Sequence, residues 1–431
     1  MAPAGKKFPT KVNPVGGDFI QPLEKPPERY GQQEKPRVMQ RIAGQQRIPV
    51  AAHDKAIHDK AVSQPERKEK DVRAQAVQTP VQGPCQSHQQ QPDPSVSGKL
   101  TPDPFGRILR WARIFHPITI GTSPMQTTIY PTTDWKVSRV GLGCWALGGQ
   151  FGPIAETEAI ETVHAALDEG INFFDTADAY GVEMGTSEKR LGKALAGKRE
   201  EVFIATKVGN WGRRSGVPFP YEDPLHVIAC CHASLYRLRT DTIDLYQCHI
   251  GNLREPDVFL EAFEKLKKDG HIRAYGISTN DPEVLRRFNR DGSCAVCQLD
   301  YSLTHPAPER DILPYCGDNR IGTLIRGPLD KGILTGKFTR DSAFSDSVRE
   351  KWNEGEAHEA FLRKIDLVER IKKAADPARP LAETALRFCL SHPAVTVIIP
   401  GARNAGQVRQ NARAGAGPLP GDELAAIREC L

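Results

Sequence analysis

Ile171-Asn172-Phe173-Phe174-Asp175-Thr176-Ala177-Asp178-Ala179-Tyr180 is the stretch on which the fold turns. A short apolar run ends in a carboxylate, and a phenol follows after one brief loop. Two later runs repeat the pattern. Val202-Phe203-Ile204-Ala205-Thr206-Lys207 ends in an ammonium, and Ile243-Asp244-Leu245-Tyr246-Gln247-Cys248-His249 ends in an imidazole. Each run has the length and bounding of a buried strand. In a barrel of parallel strands the C-terminal strand ends gather at one mouth, so side chains far apart in sequence meet there. Asp175, Tyr180, Lys207 and His249 are therefore expected to converge, and an acid, a phenol, a base and an imidazole in one place point to proton-transfer chemistry.

Working outward, the chain from Met125 onward alternates strand and helix. A pair of short strands is expected over 127–138. The first barrel strand is Val140–Gly143, and a helix over about 157–169 follows, with Ile160, Val163, Ala166 and Leu167 on one face. Further strands are expected to end at Asp175, Lys207 and His249, then to cover Ile272–Ser278, Ala295–Asp300, Ile321–Arg326 and Val395–Ile399. Helices are expected near 186–196, 224–238, 256–269, 282–290, 308–316, 355–374, 381–391, 404–413 and 421–430. Gly270 is placed as a helix C-terminal cap. Eight strands alternating with helices over about 300 residues give the fold class: an α/β chain forming a closed (β/α)8 TIM barrel. The competing architecture is a doubly wound open sheet. Gly141-Leu142-Gly143-Cys144-Trp145-Ala146 matches its dinucleotide fingerprint, but that fingerprint needs a helix to begin at once. Gly148-Gly149-Gln150-Phe151-Gly152-Pro153 follows instead and breaks any helix.

Residues 1–124 have a different texture, rich in Gln, Pro, Lys and Ala, with few aromatics and no sustained period. Such a segment cannot bury enough apolar surface to offset its ordering entropy, so a long disordered N-terminal extension is expected. One stretch, Phe105 to Ile114, spaces Arg107, Arg110 and Arg113 among apolar residues, and reads either as a basic amphipathic helix on an anionic surface or as a transient helix without a role. A native start at Met125 is an open alternative. The net charge is +5. About 19 basic and 11 acidic side chains lie in residues 1–124, so the remainder is slightly acidic and gives no reason to expect a nucleic-acid partner. There is no apolar run long enough to span a membrane and no secretory signal at the start. Ten cysteines without framework spacing fit a reducing, cytoplasmic setting.

Other features carry plainer readings. Cys294 and Cys297 have CxxC spacing but no second pair, so two packed thiols are expected rather than a zinc site. Cys248 alternates away from the mouth and is expected to pack. Trp145 and Trp211 follow strand ends and either line a pocket or pack. The histidines form no ligand cluster, so no metal is expected.

The motifs taken together resemble the aldo-keto reductase superfamily along essentially all of residues 125–431. They are Gly141-Leu142-Gly143, Asp175-Thr176-Ala177-Asp178-Ala179-Tyr180-Gly181, Ser187-Glu188 with Leu191-Gly192, Thr206-Lys207, His249 and Tyr275-Gly276-Ile277-Ser278. Gln298, Pro328-Leu329, Gly332-Ile333-Leu334-Thr335-Gly336-Lys337 and Ile399-Pro400-Gly401-Ala402-Arg403, with Gln407 and Asn411, complete the set. The resemblance implies a carbonyl reductase that uses a nicotinamide cofactor and acts on a small aldehyde, ketone or sugar. In it Tyr180 donates the proton, Lys207 favours the phenolate, Asp175 partners Lys207 and His249 holds the carbonyl oxygen.

The same resemblance assigns the cofactor side. Ser278 and Gln298 match positions that hold the nicotinamide carboxamide, and Thr279 stands where many relatives carry Asn. Arg326, Pro328 and Leu329 match a loop against nicotinamide and pyrophosphate. Arg326 replaces a frequent aromatic there, and its planar guanidinium is able to stack in its place. Lys337 reaches toward a phosphate, and Gly401, Arg403, Gln407 and Asn411 match the grip on the adenosine end. Arg403 just before a helix N-terminus suits a 2′-phosphate, which favours NADP over NAD. Two alternatives stand beside the reductase. One is a cofactor-binding regulatory subunit of a membrane protein, and the other is a metal-assisted lyase on the same barrel.

Overall fold

The computed structural model describes residues 124–431. The expected disorder of the leading segment and the basic stretch Phe105–Ile114 fall outside those residues. A hairpin comes first: β1 (Thr127–Ile129) pairs antiparallel with β2 (Lys136–Ser138). Eight parallel strands follow in sequence order. They are β3 (Leu142–Gly143), β4 (Phe173–Asp175), β5 (Phe203–Val208), β6 (Ile243–Cys248), β7 (Ile272–Ser278), β8 (Val296–Asp300), β9 (Gly322–Arg326) and β10 (Val397–Ile398), each paired with its neighbours in the chain. The sheet closes on itself. Val140 bridges Ile398 and Gly143 bridges Gly401, both parallel, and Gly143 N–H donates to Pro400 O at 3.0 Å. Glycine is required at that seam, because a Cβ on Gly143 would lie 2.6 Å from Ile399 O. The result is the expected (β/α)8 barrel.

Strand parity sorts the side chains into two cores. Phe174, Ile204, Tyr246, Tyr275 and Cys297 face outward and pack with the helices. Phe173, Ala205, Leu245, Val296, Leu324 and Val397 face inward and form a second cluster with Tyr130, Trp135 and Val137 of the hairpin. Tyr130 stacks on Phe173 with ring centroids 6.3 Å apart, so the hairpin plugs the lower end of the barrel with apolar rings. Two residues further along the same strands, the same parity delivers Asp175, Lys207, Gln247 and Gln298 into the interior. The barrel thus changes from a dry plug to a polar layer toward its C-terminal mouth.

The helices follow their expected places closely, with Asp-Pro pairs marking two starts. Asp223 accepts from Leu225 N–H and Asp281 from Glu283 N–H, with Pro224 and Pro282 in the first turn. The helix Glu156–Asp168 buries Ala159, Thr162, Val163 and Ala166, and Ile160 and Leu167 flank that face instead of centring it. After β3 the chain makes only a five-residue 3-10 turn, Cys144–Gly148, before a left-handed Gly149, so no long helix begins there. The short helix Trp211–Ser215 and the 3-10 turns Asp330–Thr335 and Glu350–Asn353 lie in loops with no readable pattern. Among the described residues no helix is long and apolar enough to cross a membrane.

Candidate active site

Lys207 is fully buried at the end of β5, and each of its three ammonium protons has an acceptor. Nζ lies 2.6 Å from Asp175 Oδ1, 2.8 Å from Thr176 O and 3.3 Å from Tyr180 OH. Two ions buried together lose hydration worth several kcal/mol each, so such a pair persists only when the remaining lone pairs are also satisfied. Here they are. Asp175 Oδ2 accepts from Gln298 Nε2 at 2.8 Å and from Gln247 Nε2 at 3.4 Å. Gln298 also donates to Gln247 Oε1 at 3.2 Å. Gln247 has no counterpart among the expected site residues. Its signal was its parity: it shares a face with His249, two residues on.

Tyr180 is held on its loop by neighbours on every side. Its ring stacks with Trp145 at 5.8 Å and meets the His249 ring edge-on at 5.8 Å. Gln150 Oε1 accepts from Gly181 N–H at 3.1 Å, and Gly181 has φ +141°, where a Cβ would lie 2.1 Å from Glu183 O. Burial pushes the phenol up in pKa, and the Lys207 cation offsets only part of that rise. Tyr180 therefore keeps its proton at neutral pH. Burial alone would lower Lys207, but Asp175 and then Tyr180 outweigh it and raise the ammonium. His249 is driven well below the usual imidazole range, first by burial and then by Lys207, Arg326, Arg214 and Arg213. It is neutral, and its Nδ1 has no hydrogen-bond partner among the described residues.

Behind the site lies a second buried network that accounts for Ser187-Glu188. Thr176 Oγ1 donates to Ser187 Oγ at 2.9 Å, and Ser187 Oγ to Cys144 O at 2.8 Å. Glu188 accepts from Thr206 Oγ1 and from Arg237 Nε, both at 2.6 Å. These bonds tie the Tyr180 loop to the strands on either side of it.

The remaining expected residues fall into two groups. Ser278, Thr279, Gln298 and Arg326 lie at the ends of β7, β8 and β9. Thr279 Oγ1 donates to Gly251 O at 2.6 Å, and Gln298 Oε1 is buried without a partner. Arg326 bonds Asn280 Oδ1 at 2.9 Å and Asp300 Oδ2 at 3.3 Å, so its guanidinium is fixed on the rim. Pro328 and Leu329 form the turn after it. The second group is a corner next to the barrel seam. Asn411 Nδ2 donates to Gly401 O at 3.3 Å, and Arg403 N–H donates to Gln407 Oε1 at 2.9 Å. The Arg403 guanidinium donates to Phe151 O at 2.9 Å and Pro153 O at 2.7 Å, clasping the loop after β3. Burial, then Arg349 and Arg403, lower Lys337, and Arg349 is itself paired with Asp346 at 2.8 Å.

Cys248, Cys294 and Cys297 are buried free thiols. Trp145 lines the site, and Trp211 packs under Arg237 at 5.8 Å. Among the described residues there is no group of three or more His, Cys, Asp or Glu placed to hold a metal.

Comparison with known proteins gives a consistent answer. A family model described as "Aldo/keto reductase family" matches residues 139–431. The chain is 35% identical over 291 residues to the aldo-keto reductase YhdN of Bacillus subtilis (strain 168), covering 66% of this chain and 87% of that protein. It is 34% identical over 304 residues to the NADH-specific methylglyoxal reductase of Escherichia coli (strain K12), covering 66% and 91%. Among solved structures it is similar to the glycerol dehydrogenase AKR11B4 of Gluconobacter oxydans, with TM-score 0.60, 33% identity and 71% and 94% of the two chains covered.

Proposed function

The chain belongs to the aldo/keto reductase family and so to the carbonyl-reducing oxidoreductases, and from that premise we propose that Tyr180 is its proton donor, with NADPH as the reductant. The observation that carries the reading is the position of Lys207, bonded at once to the Asp175 carboxylate and the Tyr180 hydroxyl inside a closed barrel.

The residues present suit a nicotinamide. The orphaned Gln298 Oε1, next to Ser278 at the mouth, is a buried acceptor able to take a carboxamide N–H. When bound, a reduced nicotinamide dinucleotide supplies the hydride. The work left to the chain is to handle charge and a proton. Reduction of a carbonyl places negative charge on its oxygen. The neutral His249 holds that oxygen by a hydrogen bond without contributing a competing acid. Tyr180 gives up its phenolic proton to the same oxygen. The phenolate left behind faces the Lys207 ammonium, and Asp175 keeps that ammonium charged and in place. Trp145, stacked on Tyr180, fixes the ring and keeps water from that side.

NADP is proposed over NAD because Lys337 and Arg403, which have no carboxylate partner among the described residues, lie near the corner where the helix Ala405–Ala412 begins, and cations and a helix N-terminus both favour a phosphate there. The test is a panel of aldehydes, ketones and sugars with NADPH and NADH in parallel, followed at the reduced-cofactor absorbance band. Carbonyl-dependent loss of absorbance, faster with NADPH, is expected. A panel without turnover would overturn the reductase reading, and preference for NADH would overturn the cofactor assignment alone.

A further inference from the structure

Residues 147–154, the loop after β3, run beside the segment that carries Tyr180. Val182 N–H donates to Gly148 O at 3.0 Å, and a Cβ on Gly148 would lie 2.6 Å from Gly181 Cα, so the two backbones touch. Gln150 is the one residue of 147–154 with a polar side chain. It is only 4% exposed, and its Oε1 accepts at 3.1 Å from the N–H of Gly181, the residue next to Tyr180. Gly181 is buried and lies outside every helix and strand, so no regular ladder supplies an acceptor for that N–H. Nε2 of the Gln150 amide has no acceptor among the described residues, which leaves the carbonyl end as the working one.

The loop that presents Gln150 is itself clamped. Arg190, on the helix Thr186–Ala194 that follows the Tyr180 segment, donates to Leu147 O and, at 3.1 Å, to Ile154 O, and so holds both ends of the loop. Arg403 bonds the carbonyls of Phe151 and Pro153 between them. Ser347 Oγ donates to Gln150 O at 3.3 Å. Phe151 meets Trp145 edge-on at 4.9 Å, and Trp145 in turn stacks on Tyr180. Gln150 therefore reaches Gly181 from a fixed platform. From the other direction Ser187 N–H donates to Tyr180 O at 3.2 Å. Both bonds fall on the peptide between Tyr180 and Gly181, one on its carbonyl and one on its N–H.

We propose that Gln150 is a positioning residue for proton transfer: by fixing the peptide that follows Tyr180 it sets the direction in which the phenol enters the mouth. A displacement of about 1 Å in a reacting group is enough to cost about 10²-fold in rate. The inference rests on Tyr180 as the proton donor.

The test uses the full chain with NADPH and the carbonyl panel above, glyceraldehyde and methylglyoxal included, at about pH 6, where a buried carboxyl keeps its proton. Gln150→Met has the length of glutamine without its acceptor, and kcat is expected to fall about 10–10²-fold. KM is expected to stay within about threefold, because the lost contact acts on the chemical step. Gln150→Glu keeps an acceptor for Gly181 and is expected to stay within about threefold of wild-type kcat. In the Tyr180→Phe background Gln150→Met is expected to cost less than about twofold, since no phenolic proton is left to position. A partly misfolded preparation would instead lose the same factor in both backgrounds. Gln150→Asn, one methylene too short to reach Gly181, carries the same expectations if the methionine variant fails to fold. Unchanged kcat in Gln150→Met, an equal loss in both backgrounds, or a glutamate variant as slow as the methionine one overturns the positioning role and leaves Tyr180 in place. Full turnover in Tyr180→Phe, or a panel that the wild type does not reduce, sinks the reading beneath it.

Discussion

The Lys207 ammonium stands 3.3 Å from the Tyr180 hydroxyl, close enough for a hydrogen bond yet without displacing its own carboxylate partner. In that arrangement the phenol remains protonated at rest, because burial outweighs the cation. The cation exerts its full effect only when negative charge appears on the phenol. Tyr180→Phe keeps the ring between Trp145 and His249 and removes only the proton. Turnover is expected to fall by about 10²–10⁴, the usual worth of a positioned acid. Cofactor affinity, measured by quenching of protein fluorescence, is expected to be unchanged. Wild-type turnover in this variant would remove Tyr180 from its assigned role.

Lys207→Met leaves Asp175 buried with only two amide donors. Loss of one partner from a buried pair costs on the order of 3–5 kcal/mol. Asp175→Asn/Lys207→Met is expected to recover part of that loss. Urea unfolding of the two single variants and the double gives the coupling directly. Additive effects would mean that the pair is not coupled.

His249 titrates far below the usual range, so no limb near pH 6.5 is expected in the pH dependence of kcat. Its effect on stability follows from the same shift. The folded state resists protonation more than the unfolded chain. Stability is therefore full above the unfolded value, about 6.5, and declines as the pH falls below it. His249→Asn is expected to flatten this acid-side decline in melting temperature. An unchanged slope between pH 6.5 and 5 would contradict it.

Asp178 is almost completely buried, and neither carboxyl oxygen has a hydrogen-bond partner among the described residues. Burial, aided by Glu188 and opposed by Arg237, pushes it up to about 8. At pH 7 the folded protein therefore holds a proton that the unfolded chain releases near pH 4. The contribution of Asp178 to stability must therefore fall as pH rises from about 4 to about 8, opposing that of His249 over the lower part of the range. Asp178→Asn is expected to abolish that fall, with a gain in melting temperature that is larger at pH 7.5 than at pH 5. Parallel profiles for the two proteins would refute the assignment.

Strand parity made most of this legible from residues alone. Asp175, Lys207 and His249 each close an apolar run, and the structure brings them to one mouth with Tyr180. Gln247 obeyed the same rule and was hidden only because a more conspicuous His249 follows it. What parity does not reveal is the partner of a side chain when several strands meet. Arg326 is expected to face a cofactor ring, yet its fixed position depends on Asn280 and Asp300 from two other strand ends. Arg403 is likewise clasped by carbonyls some 250 residues away. Backbone strain was equally silent. Lys331 takes a left-handed φ of +53°, a conformation that its residue type does not announce.

The seam of the barrel joins Gly143 to Gly401. During synthesis, β3 leaves the ribosome more than 250 residues ahead of the strand that covers its open edge. Such a distant pairing is slow to form, and an uncovered edge invites pairing with other chains. The growing polypeptide thus carries an aggregation-prone border until its last barrel strand emerges, and truncation before Pro400 would make that border permanent.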